Sequence, residues 1–225
     1  MPADDDEKPL RQVAYEHIRE AILALRYKPG QSVTVSDFAR DLGISRTPVR
    51  EALGLLESDF LVEFQGRQGV RIRDLSLEEV ISNMQMREVI DGLGARLAAQ
   101  RMSDETLADL FARLEDLTRD GPFPDEEAHE AFSTYLHSTI AATCGNAYVS
   151  QTWERLHSAF LRVRRHEWLI WKKSGDREKM AERRLAEHRE IVEAIAARDP
   201  ERAEAAARSH IARTLRDTVA LLNGL

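Results

Sequence analysis

The chain has 225 residues, 43% hydrophobic and 32% charged, with a formal net charge of −7. That mixture can bury one large core or two modest ones and excludes a disordered tail as a description of the whole. No stretch approaches the about 18 apolar residues of a membrane span, the acidic start MPADDDEKP is unlike a signal peptide, and the lone Cys144 can make no intrachain disulfide or thiolate metal site, so a cytoplasmic, reducing setting is expected.

The charge is uneven along the chain. Residues 1–7 form an acidic tail of −4, residues 8–73 hold eleven Lys/Arg against eight Asp/Glu for a net +3, and residues 74–225 carry −6. This suggests a basic front domain at 8–73, a linker at 74–77 and a second domain at 78–222.

In the front domain, Val13, Ala14, Ile18, Ala21, Ile22 and Leu25 keep helical spacing until Lys28-Pro29-Gly30 stops them. A short helix is expected over Asp37–Asp41 after Ser36 as cap, then a turn at Leu42, Gly43 and Ile44. Ser45 is the expected cap of the next helix, with Pro48 in its first turn, where a missing amide costs nothing. Along it Val49, Ala52, Leu53 and Leu56 make one apolar stripe, while Arg46, Thr47, Arg50 and Gly54 occupy another side. Asp59 stands at the exit, where a left-handed backbone is common and aspartate tolerates it. Leu61–Phe64 and Val70–Arg73 read as strands around Gln65–Gly69. Two helices meeting at a glycine turn, followed by a hairpin, describe a winged helix-turn-helix.

The run HIREAILALRYKPGQSVTVSDFARDLGISRTPVREALGLLESDFLVEFQGRQGVRI resembles the DNA-binding domain of GntR-family transcription regulators. The resemblance implies that Arg46, Thr47 and Arg50 contact double-stranded DNA and that Gly66 and Arg67 of the wing lie at the adjacent minor groove. It departs at Ser36, where several members carry a DNA-contacting arginine, and at Gly54, where a longer polar side chain is common. The chemistry agrees, because arginine can bond guanine bidentately and the N-terminal end of a recognition helix reaches base edges first. The bland alternative makes Arg46 and Arg50 ordinary solvated side chains, with or without pairing to nearby carboxylates.

Beyond Ser76 the periodicity is helical almost throughout, so the fold class is mainly α, a winged helix followed by an all-α bundle. Ser76–Glu79 has the form of a capping box, Ser103 caps a second helix, residues 121–124 (GPFP) break the chain, and Cys144-Gly145-Asn146 ends a third helix. Ser174-Gly175 makes another break, and Asp199-Pro200 turns the last two helices back on each other. Six helices are expected.

His188 sits among Leu185, Ile191, Val192 and Ile195, on an apolar face. His188 and His210 each lie 11 residues from Asp199, about 16 Å from the turn at about 1.5 Å per residue, so they are level. His137, flanked by Ser133, Ile140 and Ala141, also points inward. Three inward imidazoles could hold a divalent metal ion such as zinc or nickel. Taken singly, each is more often a core histidine bonded to a neighbour, and it is the three together that point to a metal. His17, His129, His157 and His166 are read as surface or packing residues, and Trp153, Trp168 and Trp171 as core or interface.

This half resembles the FCD effector domain of the FadR-type branch of GntR regulators, through YLHSTIAATCGNAYV and EHREIVEAIAARDPERAEAAARSH. The resemblance implies a homodimer with His137, His188 and His210 as metal ligands. Many members complete the set with an aspartate four residues before the first histidine. Here Ser133 stands in that place, and Glu130 is a distant substitute. Arg87, in MREVID, matches an arginine that often holds the effector's carboxylate, so Arg87 and Ser133 are candidate effector contacts; the other reading pairs Arg87 with Asp91 at i, i+4.

The expectation is therefore a repressor that binds a palindromic operator as a homodimer and is released by a small carboxylate. One rival is a regulator without an effector, whose bundle only dimerises. Another is a three-histidine metalloenzyme, disfavoured because no HExxH motif or similar pairing is present to supply a general base.

Overall fold

The computed structural model describes residues 8–66, 69–74, 76–119, 126–171 and 177–223. The acidic tail, Arg67, the 121–124 break and the Ser174-Gly175 break lie outside the described residues, as do the side chains of His166, Trp168 and Trp171. The chain groups into two compact units, residues up to Ser76 with His157–Arg165, and Leu77–Leu156 with His166 onward.

The front unit comprises α1 (Leu10–Leu23), β1 (Ser32–Val33), α2 (Val35–Leu42), α3 (Arg46–Ser58), β2 (Val62–Phe64) and β3 (Val70–Ile72). Ile18 and Ile22 of α1, Phe38 of α2, Val49, Leu53 and Leu56 of α3, and Val62, Val70 and Ile72 of the strands form its core. The strands make an antiparallel sheet in the order β1-β3-β2. The two-residue strand β1 was not expected, since two residues are too few to show a period of two.

Three local expectations are corrected. The cap of α2 is Thr34, not Ser36: its hydroxyl accepts from Asp37 N while the Asp37 carboxylate accepts from Thr34 N, a reciprocal capping box. Ser45 occupies the N-cap position of α3 without a side-chain cap hydrogen bond. The left-handed residue at the exit of α3 is Phe60 (φ 58°), whereas Asp59 has φ −88° and accepts the Tyr15 hydroxyl at 2.5 Å. The helix-turn-helix corner itself forms as read: Gly43 ends α2 at φ 67°, a conformation that costs a side-chain-bearing residue about 1–2 kcal/mol.

Among the described residues six helices follow Ser76, α4 (Leu77–Arg101), α5 (Asp104–Arg119), α6 (Glu126–Thr143), α7 (Ala147–Trp171), α8 (Arg177–Ala196) and α9 (Pro200–Asn223), all in the second unit except residues 157–165 of α7. Ala95, Ala98 and Ala99 of α4 and Ala203 and Ala207 of α9 are fully or almost fully buried, and such small side chains let helix backbones approach closely. Around them pack Met102, Leu110, Leu114, Leu136, Ile191, Val192 and Ile195. Ser103 accepts from Thr106 N, capping α5. Between α8 and α9, Arg198 turns left-handed (φ 55°), Asp199 accepts from Arg202 N, and Pro200 opens α9. The Arg198 guanidinium reaches back to the carbonyl of Met102 at 2.6 Å, satisfying an acceptor at the end of α4.

Candidate nucleic-acid interface and histidine centre

The apolar stripe of α3 is buried completely, which turns its opposite side outward. Arg46, Thr47 and Arg50 are exposed there, within the first turn and a half of the helix. Among the described residues neither Arg46 nor Arg50 has an ion-pair partner in the chain, whereas Arg40 pairs with Asp37 and Arg71 with Asp74. Two exposed cations without an ion pair therefore stand at the start of α3. Gly66 is exposed in the β2–β3 loop at φ 56°, and the loop closes through Gln65 N donating to the Gly69 carbonyl at 2.9 Å.

In the second unit, five helices converge on one buried polar centre. His137 comes from α6, His188 from α8 and His210 from α9; all three are buried, and one ring nitrogen of each lies within 4.8 Å of the others. The ring centroids stand 4.6 Å (His188 to His210), 5.2 Å (His137 to His210) and 5.5 Å (His137 to His188) apart. The antiparallel α8–α9 hairpin makes the two later histidines level, as their equal distance from Asp199 requires.

Each imidazole has a different environment. His137 Nδ1 lies 2.8 Å from Asp91 Oδ1 of α4, and His210 Nδ1 lies 2.8 Å from Glu187 Oε2 of α8. His188 is 1% exposed, and among the described residues neither of its ring nitrogens has a hydrogen-bond partner. Burial, reinforced by the neighbouring imidazoles and Arg184, holds His188 far below the usual histidine range. Burial likewise lowers His210, against the opposing pull of Glu187, to about 4. Both are neutral at physiological pH, the form in which imidazole donates a lone pair.

Arg87 is buried and donates from Nε and Nη2 to the two Asp91 oxygens at 3.2 Å, the i, i+4 alternative raised for it above. Trp153 Nε1 of α7 adds a third bond to Asp91 at 3.3 Å. Burial raises the Asp91 carboxyl, but the Arg87 guanidinium and the His137 N–H outweigh it and hold the group well below the ordinary carboxylate range. Ser133 is half-buried, one turn before His137 on α6. Asp91 therefore places a carboxylate beside His137.

Glu187 and Arg184 escaped sequence reasoning, while Asp91 was read only as a partner of Arg87 and His129 only as a surface or packing residue. Asp91 and Glu187 are carboxylates whose relevance depends on which helix packs beside them. His129, read as surface or packing, is buried with its ring stacked 5.4 Å from that of His188. Arg184 is buried one turn before His188, and its spacing on that apolar face was the signal available. His17, by contrast, is exposed as expected.

The residues fit a divalent ion. A neutral, buried imidazole with two unbonded nitrogens is unusual in a core, because its N–H loses hydration and gains nothing. Together with His137 and His210, each with one ring nitrogen held by a carboxylate, it makes three imidazoles facing one point, a donor set that zinc or nickel takes from histidine.

The comparisons agree with both halves of this description. Residues 10–72 match the family of bacterial regulatory proteins, gntR family, and residues 83–213 match the FCD domain. The chain belongs to the GntR family. Over 187 residues it is 30% identical to a probable D-xylose utilization operon transcriptional repressor of Paenarthrobacter nicotinovorans, covering 81% of this chain and 77% of that one. Over 206 residues it is 27% identical to the HTH-type transcriptional repressor GlaR of Escherichia coli (strain K12), covering 88% and 90%. The same fold occurs in E. coli McbR/YncC, with a TM-score of 0.75 at 17% identity over 95% of this chain and 99% of that one. As a GntR-family member with an FCD domain, the chain is a DNA-binding transcription regulator and not an enzyme. No described helix is long and apolar enough to cross a membrane.

Proposed function

We propose that this GntR regulator is a cytoplasmic, homodimeric repressor that reads a palindromic operator and is released by a small carboxylate metabolite bound in its FCD bundle. Arg46, Thr47 and Arg50 of α3 read base edges and phosphates, with Gly66 and Arg67 of the wing beside them. A two-fold dimer matches two half-sites, so any ligand that favours another relative placement of the winged helices lowers operator affinity. The relative described as a D-xylose utilization repressor supports a role in controlling catabolic genes.

The observation that carries the sensing half is the buried His137, His188 and His210 cluster with His188 hydrogen-bonded to none of the described residues. A divalent ion held by these three rings would supply a Lewis-acidic anchor for carboxylate oxygens. Ser133 contributes a hydroxyl beside His137. Arg184 adds positive charge near His188 and His210. Arg87 acts on the site through Asp91.

The test is a fluorescence-anisotropy titration on DNA from upstream of the regulator's own gene, with the protein metal-loaded and metal-free and with a panel of small hydroxy acids and dicarboxylates. Release of metal-loaded protein by one of these acids is expected. Tight specific binding that no acid alters in either form would overturn the sensor reading.

A further inference from the structure

The three imidazoles are not equivalent in what holds them. Asp91 Oδ1 accepts from Trp153 Nε1 and Arg87 Nη2, and its Oδ2 accepts from Arg87 Nε. A carboxylate so surrounded by donors acts only as an acceptor, and the ring facing it at 2.8 Å must carry its proton on Nδ1. Glu187 repeats the pattern: Oε1 accepts from Arg213 Nη1 at 3.0 Å, and Oε2 faces His210 Nδ1 at 2.8 Å. A neutral imidazole with its proton on Nδ1 has its lone pair on Nε2.

We propose that Asp91 and Glu187 are positioning residues that lock His137 and His210 into the Nδ1–H tautomer, so that both present Nε2 to the shared point while His188 remains the adaptable third donor. The proposal rests on the metal reading above and goes beyond its ligand set. It also gives Ser133 a consequence. With Ser133 where a carboxylate ligand would stand, the ligating rings are oriented from behind by these two outer carboxylates, on α4 and α8. Asp91, tied by Arg87 and Trp153, is held in that outer position. Carboxylates behind ligating histidines raise ligand basicity and fix ring orientation, and their loss typically weakens metal binding about 10–100-fold.

The experiment uses the full chain labelled with 15N-histidine, stripped with chelator and then titrated with zinc against a chromophoric competitor, beside Asp91→Asn and Glu187→Gln. In the metal-free wild type, long-range 1H–15N spectra are expected to show protonated Nδ1 and bare Nε2 for His137 and His210. Both variants are expected to bind zinc about 10–100-fold more weakly while keeping cooperative melting. Glu187 is only half-buried, so Glu187→Gln keeps the question open to test if Asp91→Asn fails to fold. An Nε2–H tautomer on either ring, or zinc affinity unchanged in the folded variants, overturns the positioning role. A wild type that binds no zinc overturns the metal reading instead, a result distinguishable because the tautomers are read without metal.

Discussion

Arg50 and Arg46 are exposed and have no carboxylate to hold them among the described residues. An exposed cation without a partner adds nothing to fold stability, so its removal isolates recognition. Arg50→Ala is expected to lose about 1–3 kcal/mol of discrimination for the operator over unrelated DNA, with melting unchanged. A binding titration in which operator preference survives would reject the assignment. Arg87 shows the opposite case. Its spacing from Asp91 was legible, yet spacing alone could not choose between an ion pair and a ligand contact, because i, i+4 residues share a face whichever way that face points. The 3.2 Å bonds between two buried side chains show that the ion pair forms.

At the scale of elements, the helix-turn-helix was readable because its signals are local: an apolar stripe, a glycine corner and a proline in the first turn. The caps were less so. Ser36 and Thr34 both lie near the start of α2, and only the chain path shows that Thr34 has the extended backbone (ψ 154°) from which a hydroxyl reaches Asp37 N. Thr34→Ala is therefore expected to destabilise the front unit by about 1 kcal/mol, whereas Ser45→Ala, which removes no cap bond, stays within about 0.5 kcal/mol. Urea denaturation followed by circular dichroism measures both, and equal losses would contradict the difference drawn between the two caps. Strand β1 went unread because its identity comes from pairing with Val70 and Arg71, not from its own two residues.

At the scale of the molecule, the histidine centre ties α4, α6, α7, α8 and α9 together, so metal occupancy is linked to the stability of the whole bundle. A ligand that binds only the folded state at 100 times its dissociation constant stabilises by about 2.7 kcal/mol. Excess chelator is accordingly expected to lower the melting temperature of the wild type and to leave His188→Ala unmoved, with near-stoichiometric metal by mass spectrometry in the first and none in the second. Equal chelator effects on both would place the stabilising ion elsewhere. The sequence by itself determined the winged helix, the six-helix bundle, the outward α3 arginines and the level pair His188 and His210, since each follows from a period or a spacing within one element or one hairpin. Only the tertiary structure decided that Asp91 stands behind His137, Glu187 behind His210, and His129 and Arg184 beside His188. Those neighbours arrive from different helices, and which side chains face one another across a core is set by packing of the assembled bundle, which no local spacing encodes.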